Sequence, residues 1–140
     1  YSQSDTEVVL TGYIAWKEKL LQRLEGMFAI AMWDNLERSL FLAIDRIGEK
    51  PLYYSSNKDT FTFASSISSV ALNINNKKIN ASAITSYISN VFISSHQTIW
   101  KNVKRLSPAC YIKIKAGKVE KVYKYWDIPN CAPIKQNTNS

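Results

Sequence analysis

Cysteine and histidine are nearly missing from these 140 residues: there are two of the first, Cys110 and Cys131, and one of the second, His96. The cysteines are not spaced as a CxxC pair and one imidazole cannot complete a ligand set, so no zinc site is expected. A disulfide staple is not needed either, because 46% apolar residues, with aromatics at 12% of the chain, can build a real core. Long hydrophobic runs are also lacking. The longest, Met27 to Trp33, is seven residues, far short of the ~20 that span a bilayer. No signal-peptide pattern precedes it, so the expected setting is reducing and cytoplasmic, with no membrane partner.

Acidic charge is in short supply. Eleven Asp and Glu stand against eighteen Lys and Arg, a net charge of +7 that attracts polyanions weakly. The basic residues are scattered over Lys77-Lys78, Lys101, Lys104-Arg105 and the Lys113 to Lys124 stretch. No zinc-finger spacing or RNA-binding signature accompanies them. Such charge is a solvated surface more often than a reading head, so no specific nucleic-acid partner is expected.

Ser4-Asp5-Thr6-Glu7 has the S-x-x-E form of a helix start, and Val9, Tyr13, Trp16 and Leu20 recur at helical spacing, with Leu10, Ile14 and Leu21 widening the stripe. Gly12 and the Lys17-Glu18-Lys19 run are expected to break this into two shorter helices, and Gly26 to end the pattern. The apolar run from Met27 then reads as a strand covered on both faces, with Arg38 to Ile44 as its hairpin partner. Pro51 to Ser55 and Thr60 to Ser65 form a second hairpin around Asn57-Lys58-Asp59. Ser66 to Leu72 and Ala81 to Val91 read as short helices, the latter capped by Asn80 or Ser82. Cys110 to Lys115 and Val119 to Tyr125 alternate around Ala116-Gly117 as a third hairpin. Antiparallel hairpins with helices on their faces give an α+β layered domain, and the polar stretch after Asp127 reads as a tail or linker.

Two runs carry the most information: Gly26-Met27-Phe28-Ala29-Ile30-Ala31-Met32-Trp33-Asp34, and Asp45-Arg46-Ile47-Gly48-Glu49-Lys50-Pro51-Leu52-Tyr53-Tyr54. In the second, Gly48 permits a turn that a side chain would obstruct and Pro51 fixes the entry into a strand. Arg46 and Lys50 can satisfy nearby carbonyls or carboxylates, Asp45 and Asp34 among the latter. With no nucleophile or base beside them, Asp45, Arg46, Gly48, Lys50 and Pro51 read as a structural motif. Together with Ser4-Asp5-Thr6-Glu7 and the closing Tyr125-Trp126-Asp127, these runs resemble the glutaminase half of asparagine synthetase. Asp45 to Tyr53 matches that family's D-R-x-G-x-K-P-L-Y in full. Glucosamine-6-phosphate synthase and phosphoribosylpyrophosphate amidotransferase share the glutaminase logic, but the runs point to asparagine synthetase.

The resemblance implies a class II glutamine amidotransferase: a layered αββα sandwich of the N-terminal-nucleophile (Ntn) hydrolase type, expected here to be incomplete at its N-terminus. Members attack the glutamine carboxamide with an N-terminal cysteine whose α-amino group is the base, and ammonia passes to a second domain. Residue 1 here is Tyr1, and neither internal cysteine has a free amine. The family's oxyanion Asn-Gly pair and its arginine for the glutamine carboxylate lie upstream of the stretch matching Ser4 to Glu7. Its ATP loop, S-G-G-x-D-S, has no counterpart here, so ATP and Mg belong to an absent synthetase domain and this chain needs no cofactor.

One family contact carries over. The resemblance gives Asp5 the α-amino group of glutamine, although a carboxylate in a first helical turn also complements the helix dipole without any ligand. Residues 1–128 are then the C-terminal portion of the glutaminase domain and 129–140 a tail or linker, catalytically silent alone. A non-catalytic module that self-associates or binds a partner chain through an exposed sheet is the rival reading. Departures from the family pattern are Ile44 for an arginine, Ser66 for the glutamate of F-A-S-E, and Ala109-Cys110 for a Gly-His pair, which point to a divergent copy. Cys110 is expected in the core, Cys131 in the tail and His96 on a surface loop.

Overall fold

The computed structural model describes residues 4–57, 60–94 and 96–129. Ser4 caps helix α1 (Asp5–Trp16), its hydroxyl accepting from the Glu7 amide at 3.4 Å. The helix breaks at Lys17, where φ is 49° and ψ −132°, and the chain continues as a 3₁₀ turn, Lys17–Gln22. Gly12 does not break it. A Cβ there would lie 2.6 Å from Leu20 Cδ1, so the absent side chain makes room for the 3₁₀ segment to fold back against α1. This change of screw narrows the expected stripe: Val9, Tyr13, Leu20 and Leu21 face the core, whereas Leu10, Ile14 and Trp16 are exposed.

The remaining elements follow the predicted order: β1 (Ala29–Asp34), β2 (Ser39–Ile44), β3 (Tyr53–Ser56), β4 (Phe61–Ala64), α2 (Ile67–Leu72), α3 (Ala81–Asn90), β5 (Lys104–Arg105), β6 (Cys110–Lys115) and β7 (Lys118–Lys124). One antiparallel sheet has the order β1-β2-β6-β7 and a second β4-β3-β5. Between β6 and β7, Ala116 and Gly117 both take positive φ, 48° and 72°, the signature of a type I′ hairpin whose twist suits the flanking strands. β5 escapes sequence reading because two basic residues show no alternation; it pairs with Tyr53 and Tyr54.

Alternation along the strands builds four layers. Leu42 and Ile44 of β2, with Cys110, Ile112 and Ile114 of β6, meet Leu52 and Tyr54 between the sheets. Phe41 and Ala43 point the other way, onto Tyr13, Leu20 and Leu21 of the α1 side. On the far side of the second sheet, Val70 of α2 packs with Ile74 and Val103, beside Tyr53 and Ala64. Helix, sheet, sheet and helix therefore stack as an α+β sandwich, the αββα layering that the resemblance implies.

The strand covered on both faces is β2, whose residues from Phe41 to Ile44 are fully buried. β1, expected to be so covered, instead alternates: Ile30 and Asp34 are buried and Ala29, Ala31 and Trp33 exposed. Its place at the sheet edge is the physical reason. Among the described residues no helix is long and apolar enough to cross a membrane, and no three His, Cys, Asp or Glu side chains gather as a metal site.

Phe41 is fully buried, with ring centroids 5.1 Å from Tyr13 and 5.4 Å from Tyr111. Phe41→Ala should cost about 3–5 kcal/mol in urea denaturation, whereas Leu36→Ala, at a position 94% exposed, should stay within about 0.5 kcal/mol.

Candidate functional site

β2 delivers Asp45 into the interior, and the chain then turns around its carboxylate. Oδ1 accepts from the amides of Ile47, Gly48 and Glu49 at 3.2, 2.7 and 3.0 Å, and Oδ2 from Lys50 at 3.0 Å. The side chain is 1% exposed. Burial pushes its pKa up, but the amides of Lys50, Glu49, Gly48 and Ile47 more than reverse that and hold it below the usual carboxylate range.

The turn needs glycine at Gly48, where φ is +72° and a Cβ would lie 2.9 Å from Pro108 Cγ. Arg46 donates to the carbonyls of Gln22 and Leu24 at 3.2 and 3.4 Å, and its guanidinium lies 5.7 Å from the Trp126 ring. It therefore ties the end of the 3₁₀ segment to the closing Tyr-Trp-Asp run, and carbonyls rather than Asp45 or Asp34 receive it. Arg105, which sequence reasoning passed over, donates to the Gly48 carbonyl at 3.2 Å. The Asp45 carbonyl accepts from Ala109, whose own carbonyl accepts from Tyr125 at 2.8 Å. The Tyr125 hydroxyl donates to the Ile44 carbonyl at 2.9 Å. Burial, with the Asp45 charge beside it, pushes that phenol up to about 12.

Ala109, where the family resemblance leads one to expect glycine, takes φ 56° at 2% exposure. An L-residue in that conformation costs roughly 1 kcal/mol or more. Cys110 beside it is buried, and burial pushes its thiol up, away from the reactive thiolate. Cys131 lies outside the described residues. His96 is exposed in a turn, as expected. Arg46, Pro108, Cys110, Trp126 and Ile128 line a cleft of about 450 Å³, together with Lys124 and Asp127, which pair with each other at 2.7 Å.

Asp5 sits apart from this turn, exposed in the first turn of α1. No hydrogen bond or ion pair from the described residues engages its carboxylate. Asp34, by contrast, is occupied: Lys17 Nζ reaches its Oδ2 at 2.7 Å and the amides of Leu36 and Glu37 reach Oδ1 at 3.0 Å. Lys17, with the amides, holds that carboxyl below its ordinary range. Lys113 bridges Glu18 and Glu37, and although burial opposes its charge the two carboxylates raise its pKa. Lysines scattered in sequence also meet: Lys101, Lys104 and Lys121 line one cleft.

A sequence model of the glutamine amidotransferase domain matches residues 1–126. A putative glutamine-hydrolysing asparagine synthetase of Mycobacterium tuberculosis is 32% identical over 135 residues, which is 94% of this chain and 21% of the relative. Glutamine-hydrolysing asparagine synthetase 1 of Bacillus subtilis is 35% identical over 114 residues, 81% of this chain and 18% of the relative. A putative glutamine-hydrolysing asparagine synthetase 2 of Methanocaldococcus jannaschii is 33% identical over 135 residues, 94% and 26%. The chain thus spans about a fifth to a quarter of the length of these relatives.

Two variants test the turn. Asp45→Asn keeps the shape but places a donor against an amide, and should cost about 2–3 kcal/mol. Because the folded pKa of Asp45 is depressed, its contribution is full above the unfolded value near ~3.9 and is lost as pH falls through the folded pKa. The gap between wild type and Asp45→Asn should therefore be constant at neutral pH and shrink in acid. Gly48→Ala should cost about 1–3 kcal/mol from φ alone, measured by urea denaturation.

Proposed function

The chain belongs to the glutamine amidotransferase domain family, and from that membership we propose that it forms part of the glutaminase domain of an asparagine synthetase-like enzyme. In this reading glutamine hydrolysis supplies ammonia for ATP-dependent amidation of aspartate, and residues 1–128 are the C-terminal portion of the domain, with 129–140 a tail or linker. The observation that carries it is the match of residues 1–126 to the family, joined to relatives that are named glutamine-hydrolysing asparagine synthetases. In this reading ATP and Mg serve the synthetase domain of the parent, whose S-G-G-x-D-S loop is not in this sequence.

Asp5 is the substrate contact in this proposal. Its exposed carboxylate, unclaimed by the described residues, suits the ammonium of an amino acid, which distinguishes glutamine from a simple amide. The Asp45 to Pro51 turn serves the fold: every hydrogen bond of Asp45 and Arg46 described above ends on backbone, and the Arg46 guanidinium otherwise faces a ring.

A second reading has its own observation. Trp33 is 60% exposed on a sheet, which suits a non-catalytic module that packs against further polypeptide.

In the complete enzyme, Asp5→Asn should raise the KM for glutamine at least about tenfold, the loss of one charge-assisted contact. Amidation driven by added ammonia should stay near wild type. Equal loss of both activities would remove Asp5 from the glutamine site.

A further inference from the structure

Lysines that lie far apart in sequence gather beside the second sheet. Residues 76–80 run back along 99–102: the Asn80 amide donates to the Ile99 carbonyl at 2.8 Å, the Lys101 amide to the Lys78 carbonyl at 2.9 Å, and the Asn102 side chain to the Asn76 carbonyl at 3.1 Å. This register, with Ile79 opposite Trp100, brings Lys77 and Lys78 alongside Asn102 and Lys101. Lys104 follows at the start of β5. From the first sheet, Lys121 of β7 joins Lys101 and Lys104 around one cleft of about 430 Å³, whose lining also includes Ser56 and Asn57. Among the described residues no carboxylate lines this cleft, and none of the three lysines is in an ion pair. The Lys121 ammonium lies 5.6 Å from the Tyr123 ring, a weak contact at an exposed position.

β3 adds donors that nothing else uses. The Asn57 amide donates to the Thr60 carbonyl at 2.9 Å, so Asn57, Ser55 and Tyr53 bond toward β4, and antiparallel alternation turns the backbones of Tyr54 and Ser56 toward the β5 side. Lys104 covers Tyr54, and the β3–β5 ladder stops there. The Ser56 amide is thus left open on a residue that lines the cleft, and no acceptor among the described residues takes it. Ser55, also on the lining, is 3% exposed, and its hydroxyl has no partner among the described residues. Free ammonium groups beside an unspent amide suit the oxygens of a phosphoryl group, which accept several charge-assisted hydrogen bonds at once.

We propose that this cleft binds a small phosphate-bearing anion, a diphosphate or a phosphate ester, with Lys101, Lys104 and Lys121 on its oxygens and the Ser56 amide as a fixed donor. Three ammonium groups balance the charge of a diphosphate better than that of a single carboxylate. The volume is that of a small-molecule site. A nucleic-acid strand fits it poorly: Tyr54 is the one ring on the lining, and it is 6% exposed and stacked on Phe61 at 5.9 Å, so no open aromatic face awaits a base. The lining shares no residue with the Asp45 turn and does not include Asp5, and the proposal stands whether or not the glutaminase reading does.

Titration of the chain with pyrophosphate, inorganic phosphate and glycerol phosphate at constant ionic strength tests this, read by calorimetry and by amide shifts in NMR. Pyrophosphate should saturate with a Kd of ~1 mM or below, and the Ser56 amide should be among the most shifted. Lys104→Gln and Lys121→Gln should each weaken it at least about tenfold. Lys19→Gln removes the same charge from the exposed 3₁₀ segment and should change it less than about twofold once salt screens the general field. Unmoved urea midpoints in all three variants separate lost binding from lost folding. Glycerol phosphate that binds more tightly than inorganic phosphate makes an ester the ligand, and the reverse makes it the free anion; either supports the site. Absence of saturation, equal weakening by Lys19→Gln, or shifts spread over the surface without Ser56 overturns the proposal. So does an oligouridylate that outcompetes pyrophosphate at equal phosphate concentration, which would make this a nucleic-acid surface.

Discussion

One buried carboxylate organises the centre of this protein. Asp45 takes four consecutive amides, from Ile47 to Lys50, and so fixes the path by which the chain leaves the first sheet and enters the second. An uncompensated charge at that depth would be costly, and the amides supply the compensation that water would otherwise give. Other contacts hang on the turn so formed: Arg105 on the Gly48 carbonyl, Ala109 on the Asp45 carbonyl, Tyr125 on Ala109 and Ile44. The order of dependence explains why D-R-x-G-x-K-P reads as a unit. Asp45 closes the turn, Gly48 permits it, and Arg46 ties it to the 3₁₀ segment.

That centre is separate from Asp5, the residue proposed above as the glutamine contact. Asp5 is carried by α1, which rests on the opposite side of the first sheet through Val9 and Tyr13. The ion pairs of Lys17 with Asp34 and of Lys113 with Glu18 and Glu37 hold this side together, tying the 3₁₀ segment to the β1–β2 turn and to β6. The result is a scaffold with an exposed carboxylate on one helix and exposed alternate residues on one edge strand.

Much of this was legible in the residues. The S-x-x-E start and the Ala116-Gly117 hairpin were readable because capping and positive-φ turns have local causes. Arg46 was readable as a group seeking carbonyls, but which ones depended on how the 3₁₀ segment folds back, and that on the space left by Gly12. The apolar run of β1 cannot say whether both faces find partners; its place at the edge of a four-stranded sheet that faces one of three strands decides. β5 has two residues and Arg105 no motif, so neither left a signal. The convergence of Lys101, Lys104 and Lys121 is likewise a product of topology.

The most direct measurement of the central claim is native-state exchange of the Ile47, Gly48, Glu49 and Lys50 amides against those of the fully buried Phe41 and Leu42. If the Asp45 carboxylate is the constraint that the fold depends on, the four amides exchange only on global unfolding, together with the core strand. Four amides that exchange as a surface loop does, while Phe41 and Leu42 remain protected, would contradict the account.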